Sequence, residues 1–450
     1  MKKILILGAG RSAPYLISYL LKRAKNNDWF ITVADRDLTL ASKRVGRNTH
    51  GHAIRFDVND GDMLSGQIKK ADIVVNFLAP QFQYLVALTC VRQGRSMISV
   101  SYQNESIRAL SNDAQRKGVL ILSEMGLDPG IDIMSASSIL KGINERDGRV
   151  ISFESYGGGL PAPDSLTNPF KYLISWNPRN VVMAGEHGAQ YLEEHKIKII
   201  PYHNLFRHSW PIEIEGLGMM EAYPNRDSLM YQQYGFEKSK TVIRGTLRYP
   251  GWSETWHQIM RLGLPNESLH IPDLKERTYA ELTEMFLPLN ISGADIEQRT
   301  ANFLNISRTG NIMENMRWLG LFSNEKIGIE ANTSAEVLTH LLSERLKLTP
   351  KERDMVVLHH EIIAEFPDNK KQKIISTMIH YGKRGGFTSM AQSVGMPAGI
   401  AAKLIIQGRL PLTGCHIPTH PAIFTPVLKE LEKGGLKFNE KIINLEASNS

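Results

Sequence analysis

The first 125 residues alternate short apolar runs with amphipathic stretches. Ile4-Leu5-Ile6-Leu7 is a continuous apolar run of strand length. Beyond it, Leu16 and Leu20, then Ile17 and Leu21, recur four apart, which predicts a helix over Ser12–Ala24 with one apolar face. Lys22, Arg23 and Lys25 suit the negative end of that helix's dipole, and Asn26-Asn27-Asp28 breaks it. Ile31-Thr32-Val33-Ala34 reads as the second strand. Further strands are expected at His52–Val58, Asp72–Leu78, Met97–Ser101 and Val119–Ser123, with helices between them. Ile73-Val74-Val75 and Val119-Leu120-Ile121-Leu122 are apolar without alternation, as in strands covered on both faces. The order predicts an α/β fold opening with a doubly wound parallel sheet of the Rossmann type.

A boundary is expected near Gly126–Asp132. Asp128-Pro129-Gly130 reads as an N-cap followed by Pro at the first helical position, starting a helix through Leu140. Strand-like segments then dominate: Val150–Tyr156, Ile197–Tyr202, Pro211–Glu215, Met220–Tyr223 and Thr241–Arg248. They predict a second α/β unit. Residues 253–348 read as helical, around Tyr279–Phe286, Ala294–Leu304, Asn311–Leu321 and Ser334–Leu346. Val356–Phe366 and Lys373–Tyr381 flank Pro367-Asp368-Asn369, a hairpin expected to rejoin the second sheet. Phe387–Gln407 and Thr425–Leu431 are helical again, and Ala447–Ser450 reads as a frayed end.

Composition narrows the classes. With 42% hydrophobic residues over 450 positions, the chain can fill a core and is not disordered. Two distant cysteines, Cys90 and Cys415, exclude a disulfide scaffold. No apolar run reaches the roughly 18 residues of a membrane span, and Ile4–Leu7 is short of a signal-peptide core. A cytoplasmic, soluble protein is the expectation. The balance of 53 Lys+Arg against 46 Asp+Glu, +7, contains no block of five like charges. That points away from nucleic acid and membrane, towards an ordinary surface or an anionic small molecule.

Gly8-Ala9-Gly10-Arg11-Ser12-Ala13 follows the first strand and opens the first helix, the G-x-G-x-x-A form of a dinucleotide fingerprint. Gly8 permits the turn, Gly10 lets a pyrophosphate approach the backbone, and Ala13 lets helix and strand pack closely. Asp35, 25 residues after Gly10 at the end of the second strand, suits a ribose 2′-hydroxyl and favours NAD. Arg36 beside it could offset repulsion of a 2′-phosphate, so NADP stays open. Asp57 and Val58 lie where such folds contact adenine, while Leu78, Ala79, Ser101 and Tyr102 follow strands that end beside a nicotinamide. Asp128 could cap a helix or bind a substrate ammonium. His359-His360-Glu361 invites a metal reading, but neighbours on a strand point to opposite faces, so one buried and one exposed histidine is preferred. No metal site is expected.

At Ser123–Asp132 (SEMGLDPGID) the chain resembles saccharopine dehydrogenases of the glutamate-forming type. The likeness continues through SYGGGLPAPDS (Ser155–Ser165), NPFKYLISW (Asn168–Trp176), YPNRDS (Tyr223–Ser228), RGTLRYPG (Arg244–Gly251) and Phe387–Leu410. The resemblance implies oxidation of saccharopine, with a nicotinamide cofactor and water, to glutamate and 2-aminoadipate 6-semialdehyde, or the reverse, by a homodimer. It implies a dinucleotide-binding domain from 1–131 and 385–450, a substrate and dimerisation domain from 132–252 and 350–384, and a mostly helical domain at 253–349. Cofactor positions carried over are Gly10 to Ala13, Asp35, Leu78 and Ser101; Gly8, Arg36, Asp57, Val58, Ala79, Leu127 and Trp176, the last lining the cleft, complete the expected cofactor set. Substrate positions are Ser101, Tyr102, Asp128, Arg226, Thr246, Leu247 and Arg248, with Tyr102 and Asp128 as candidates for proton transfer. Arg226 is the first choice as carboxylate clamp, ahead of Arg244 and Arg248. Two departures stand out. Gly157 replaces the family's usual cysteine, which removes any thiol mechanism, and Gln103-Asn104-Glu105 replaces a small-residue-plus-Pro turn. A carboxynorspermidine dehydrogenase-like enzyme and an idle nucleotide-binding regulator are the rival readings.

Overall fold

The computed structural model describes residues 1–367 and 370–445. The chain opens with strand β1 (Lys2–Leu7), helix α1 (Pro14–Asn27), β2 (Trp29–Asp35), β3 (Gly51–Arg55), β4 (Ile73–Asn76), β5 (Ser96–Ser99) and β6 (Leu120–Leu122). All pair in parallel. Leu5, Ile6, Leu7, Val74, Val75, Ile121 and Leu122 are buried, as uninterrupted apolar strands between two helical layers must be. The strands are shorter at their ends than the apolar runs suggest, because residues such as Ser101 and Ser123 already belong to the loops over the sheet.

Helix α2 (Ile131–Asn144) leads into β7 (Arg149–Pro161), β8 (Ala189–Glu193), β9 (Lys196–Ile200), β10 (Trp210–Ile214), β11 (Gly218–Pro224), β12 (Arg226–Asp227) and β13 (Thr241–Arg248). After the helical stretch come β14 (Asp354–Glu365) and β15 (Lys371–Tyr381). Asp368 and Asn369 of the expected turn lie outside the described residues, as does Ala447–Ser450. Helix α3 (Ser389–Ile406) then returns to the first unit, where β16 (Gly414–His416) adds a seventh strand. The order there is β16-β6-β5-β4-β1-β2-β3. The second sheet runs β10-β11-β13-β7-β14-β15-β17, with β8, β9 and β12 beside this path. Its last strand, β17 (Asn439–Leu445), pairs with β15, so the end of the chain crosses from one sheet to the other.

Helices Trp252–Leu262, Tyr279–Glu284, Ile296–Leu304, Asn311–Leu319 and Ser334–Arg345 make up the helical stretch. Their apolar faces are continuous with one side of the second sheet: Trp256, Met313 and Leu342 pack in the same core as Ile214, Leu247 and Val357. The two sheets also share a core. Val356, Leu358 and Met378 pack with Ile6, Leu122, Met125 and α3. Helix α3 can lie this close to α1 because Gly395 has no side chain: a Cβ there would meet the Leu16 backbone N at 2.8 Å. The chain therefore folds back so that loops of the first sheet meet the face of the second. Among the described residues no helix is long and apolar enough to cross a membrane.

Candidate functional site

The first half of the site is the glycine loop after β1. Gly8 has φ +100°, and a Cβ there would meet the Phe77 carbonyl oxygen at 2.9 Å. Glycine is required at that position. Gly10 faces open space with nothing within 4 Å of an added Cβ, and Ala13 is buried beneath it. The loop is open above with a helix N-terminus behind, a geometry that suits an anion. Asp35 is spent on the loop itself. Its carboxylate accepts from Ala9 N at 2.7 Å and Asp37 N at 2.9 Å. Arg36 pairs with exposed Asp57 at 3.1 Å, and Arg44 reaches the Ala9 carbonyl at 3.4 Å. Arg11 is exposed and Ser12 half-buried, while Val58 is buried and offers this rim only its backbone. Leu78 is half-buried and Ala79 exposed, at the turn where Asn76 Oδ1 holds Leu78 N at 3.1 Å.

The second half sits where the β5 and β6 loops meet β13. Tyr102 donates its hydroxyl to Asp128 Oδ1 at 2.9 Å, and Arg244 Nη2 donates to the Tyr102 oxygen at 2.6 Å. Arg244 also forms an ion pair with Asp128 Oδ1, and only 3% of its side chain is exposed. Its guanidinium lies over the rings of Tyr231 and Tyr102, at 5.0 and 5.6 Å. Asp132 stands behind, fully engaged by Gly130 N at 2.6 Å and Tyr231 Oη at 2.5 Å. Burial, and then the neighbouring Asp128 charge, push Asp132 up to about 7, against the pull of Arg244. Burial also holds the Tyr102 hydroxyl well above its ordinary value, with Arg244 opposing and Asp128 adding. Tyr102 is therefore a neutral donor, and the Asp128 carboxyl group is held between the Arg244 guanidinium and that hydroxyl.

This arrangement corrects the capping expectation. Helix α2 starts at Ile131 with Gly130 at its N-cap and no side-chain cap bond. The helix starts three residues beyond Asp128, out of reach of a cap from that residue, and the Asp128 side chain goes instead to Arg244 and Tyr102. The histidine expectation is also corrected: His359 and His360 are both buried. They do point to opposite faces, His359 to Thr377 at 2.8 Å and His360 to Ser135 at 2.6 Å. Strand β14 lies between β7 and β15 with both its faces covered, so neither histidine reaches solvent. Burial pushes His360 down to about 3, so it is neutral. Among the described residues no cluster of His, Cys, Asp and Glu could hold a metal.

Along β13, Arg244, Thr246 and Arg248 alternate onto one face. Arg248 is 3% exposed and lies over the rings of Tyr172 at 4.9 Å, Trp252 at 5.5 Å and Tyr223 at 5.7 Å. Its Nη1 donates to the Leu247 carbonyl at 2.8 Å and its Nε has no partner; among the described residues no carboxylate pairs with it. Leu247 points the other way, into the core. Arg226 is exposed, in the left-handed region at φ +49°. Leu127 is buried beside the cluster, and Trp176 donates to Tyr172 at 3.0 Å while packing against both cores. Gly157 lies opposite Asp128, where a Cβ would come within 3.3 Å of Oδ2. In the altered loop, Asn104 caps the helix Glu105–Arg108 and Gln103 N donates to Glu124 at 2.9 Å. Glu124, Asp132 and Tyr231 are the members that sequence reasoning missed. The alternation in β13 was the available signal for treating Arg244 and Arg248 alike.

Two family models divide the chain between them. Residues 4–122 match the saccharopine dehydrogenase NADP binding domain, and residues 126–436 the saccharopine dehydrogenase C-terminal domain. The chain is 31% identical to the saccharopine dehydrogenase [NADP(+), L-glutamate-forming] of Schizosaccharomyces pombe, over 99% of this chain and 100% of that one. The Saccharomyces cerevisiae protein of the same description is 32% identical, over 98% and 99%. A solved structure of apo histidine-tagged saccharopine dehydrogenase (L-Glu forming) from Saccharomyces cerevisiae superposes with a TM-score of 0.88 at 31% identity, covering 98% of this chain and 100% of that one. The open glycine loop, the parallel sheet beneath it and these full-length likenesses lead to one conclusion: the chain belongs to the saccharopine dehydrogenase family, oxidoreductases that work with a nicotinamide dinucleotide.

Proposed function

We propose that this chain interconverts saccharopine, NADP+ and water with L-glutamate, 2-aminoadipate 6-semialdehyde, NADPH and a proton, as part of lysine metabolism. The observation that carries the reading is the Tyr102–Asp128–Arg244 cluster at the carboxyl ends of the parallel strands, with unpaired Arg248 on the same face of β13 as Arg244. Saccharopine has three carboxylates and two amines, so its site needs a fixed cation without an internal partner. Arg248 is such a cation, and exposed Arg226 adds a second at the rim. A polyamine would instead need several unpaired acids, whereas Asp128 is paired, Asp132 is fully hydrogen-bonded and Glu124 keeps one free, buried oxygen.

When bound, the dinucleotide accepts the hydride. Gly8 to Ala13 would hold its pyrophosphate, with Leu78, Ser101 and Trp176 towards the nicotinamide. The hydride leaves the lysine-side carbon bonded to the secondary nitrogen, and the substrate iminium that forms takes up water and collapses to amine and aldehyde. Asp128 would face that developing positive charge, with Tyr102 and Arg244 fixing its orientation. NADP is proposed over NAD, contrary to the expectation drawn from Asp35. Both oxygens of that carboxylate are turned to backbone amides, and Arg36 and Arg44 flank the same rim. In this proposal residues 1–131 with 385–450 hold the dinucleotide, while 132–252 with 350–384 bind substrate and pair two copies as a cytoplasmic homodimer. The helical stretch 253–349 then closes the site.

The test is a spectrophotometric assay of nicotinamide reduction with saccharopine, run with NADP and with NAD. Reduction is expected with a lower KM for NADP. No reduction with either cofactor, alongside turnover of a carboxylated polyamine, sinks the reading.

A further inference from the structure

Glu124 follows β6 by two residues, at the carboxyl end of the parallel sheet, and its side chain is fully buried. Its backbone has φ +63°, a conformation costly for a residue with a Cβ. The segment is held there by Glu124 N to the Ser101 carbonyl at 3.1 Å and Met125 N to the Ser99 carbonyl at 2.9 Å. The result is to turn a carboxyl group inward, beneath the Ser101–Gln103 turn. One oxygen, Oε1, accepts from Gln103 N at 2.9 Å. The other, Oε2, is buried and has no partner. A buried carboxylate oxygen with no donor is costly, and a proton on it removes that cost.

The other acids of the cleft are held differently. Asp128 is tied through Oδ1 to Arg244 and Tyr102, and Asp132 has both oxygens engaged. Tyr102 keeps its proton and already donates its hydroxyl hydrogen bond to Asp128. Only Glu124 combines complete burial, an open oxygen and a direct bond to the loop that carries Tyr102. We propose that Glu124 is a positioning residue for the reaction, holding the Ser101–Gln103 turn and exchanging a proton with solvent that sets the negative charge of the cleft. The inference rests on the saccharopine reading of this same site.

The groups that face Glu124 are Asp128 and Asp132 from the following segment, Arg244 from β13, and Tyr234 from the turn before β13. Arg108 acts on Tyr234 from the neighbouring helix, and Tyr102 lies in the turn itself. The acids oppose its ionisation and Arg244 favours it. Burial dominates and pushes Glu124 up to about 7, against the Gln103 N–H bond. Its anion favours a substrate iminium, so saccharopine oxidation should fall as Glu124 takes up a proton.

Two measurements decide this. Infrared titration of the whole protein, labelled with carboxyl-13C glutamate and without substrate, should show one isotope-shifted protonated-carboxyl band lost near neutral pH and absent in Glu124→Gln. The label separates Glu124 from Asp132. A labelled carboxyl that is ionised throughout overturns the proposal, and the wild-type measurement stands even where the variant fails to fold. In the assay, kcat/KM for saccharopine oxidation should lose its acid-side limb in Glu124→Gln, and Glu124→Asp should keep a shifted limb. An unchanged limb with a uniformly lower rate would make Glu124 merely structural and overturns the proposal. Absence of any saccharopine turnover would refute the substrate reading instead, and the infrared result distinguishes the two failures.

Discussion

The cofactor rim and the interdomain cluster both use carboxylates beside arginines, yet they behave as different materials. At the rim, Asp57 and Arg36 are paired in the open, with 51% and 64% of their side chains exposed. Hydrogen bonds from the Asn59 amide, then from Arg36, hold Asp57 below its ordinary value, and water screens the rest. In the cluster, Arg244 is 3% exposed and meets Asp128, Tyr102 and Tyr231 away from solvent. There two acids, Glu124 and Asp132, rise to about 7. The comparison teaches that an acid–base pair identifies chemistry only after burial is known. The same residue types favour the charged carboxylate at one edge and disfavour it at the other.

The sharpest way to break the comparison is Arg244→Leu. It leaves Asp128 beside Asp132 and Glu124 with no cation, and breaking a buried pair from one side costs about 3–5 kcal/mol. Urea unfolding should show that loss together with near-complete loss of saccharopine turnover. A stable, active variant would mean that the cluster is not a unit. Next come the two carboxylate arginines. Arg248→Gln should raise the saccharopine KM by about 10–100-fold, the equivalent of one buried charge-assisted contact. Arg226→Ala, exposed to water, should raise it less, by roughly 3–10-fold. NADP affinity should hold in both, and a larger effect at Arg226 would reverse the assignment of the main clamp. The smallest effect is expected at the rim. Arg36→Ala should leave stability unchanged and raise the KM for NADP a few-fold but not that for NAD, more so at low salt. Equal effects on both cofactors would remove Arg36 from 2′-phosphate recognition.

Much of the first half was legible because its signals are local. A strand of apolar residues, a glycine turn and an amphipathic helix lie within Lys2–Asn27, and each is read within one element. The helices of 253–348 were legible for the same reason, through their periodicity. Strands β16 and β17 were missed: each is short or mostly exposed and takes its place only by pairing with β6 or β15. The Asp128 cap and the exposed histidine failed for a shared reason. Both depended on what the rest of the chain places opposite them.

By itself, the sequence determined the alternation of elements, the phosphate-binding turn and the family likeness, since these depend on residue types at fixed short spacings. The tertiary structure alone decided which charges are partners. Tyr102 and Arg244 are 142 positions apart, and Asp128 and Arg244 are 116. Bringing them together needs the β13 register against β7 and the return of α3 against α1. Their chemistry follows from that meeting. Desolvation is a property of the assembled site, and only there is a carboxyl group such as Glu124 pushed above its ordinary range.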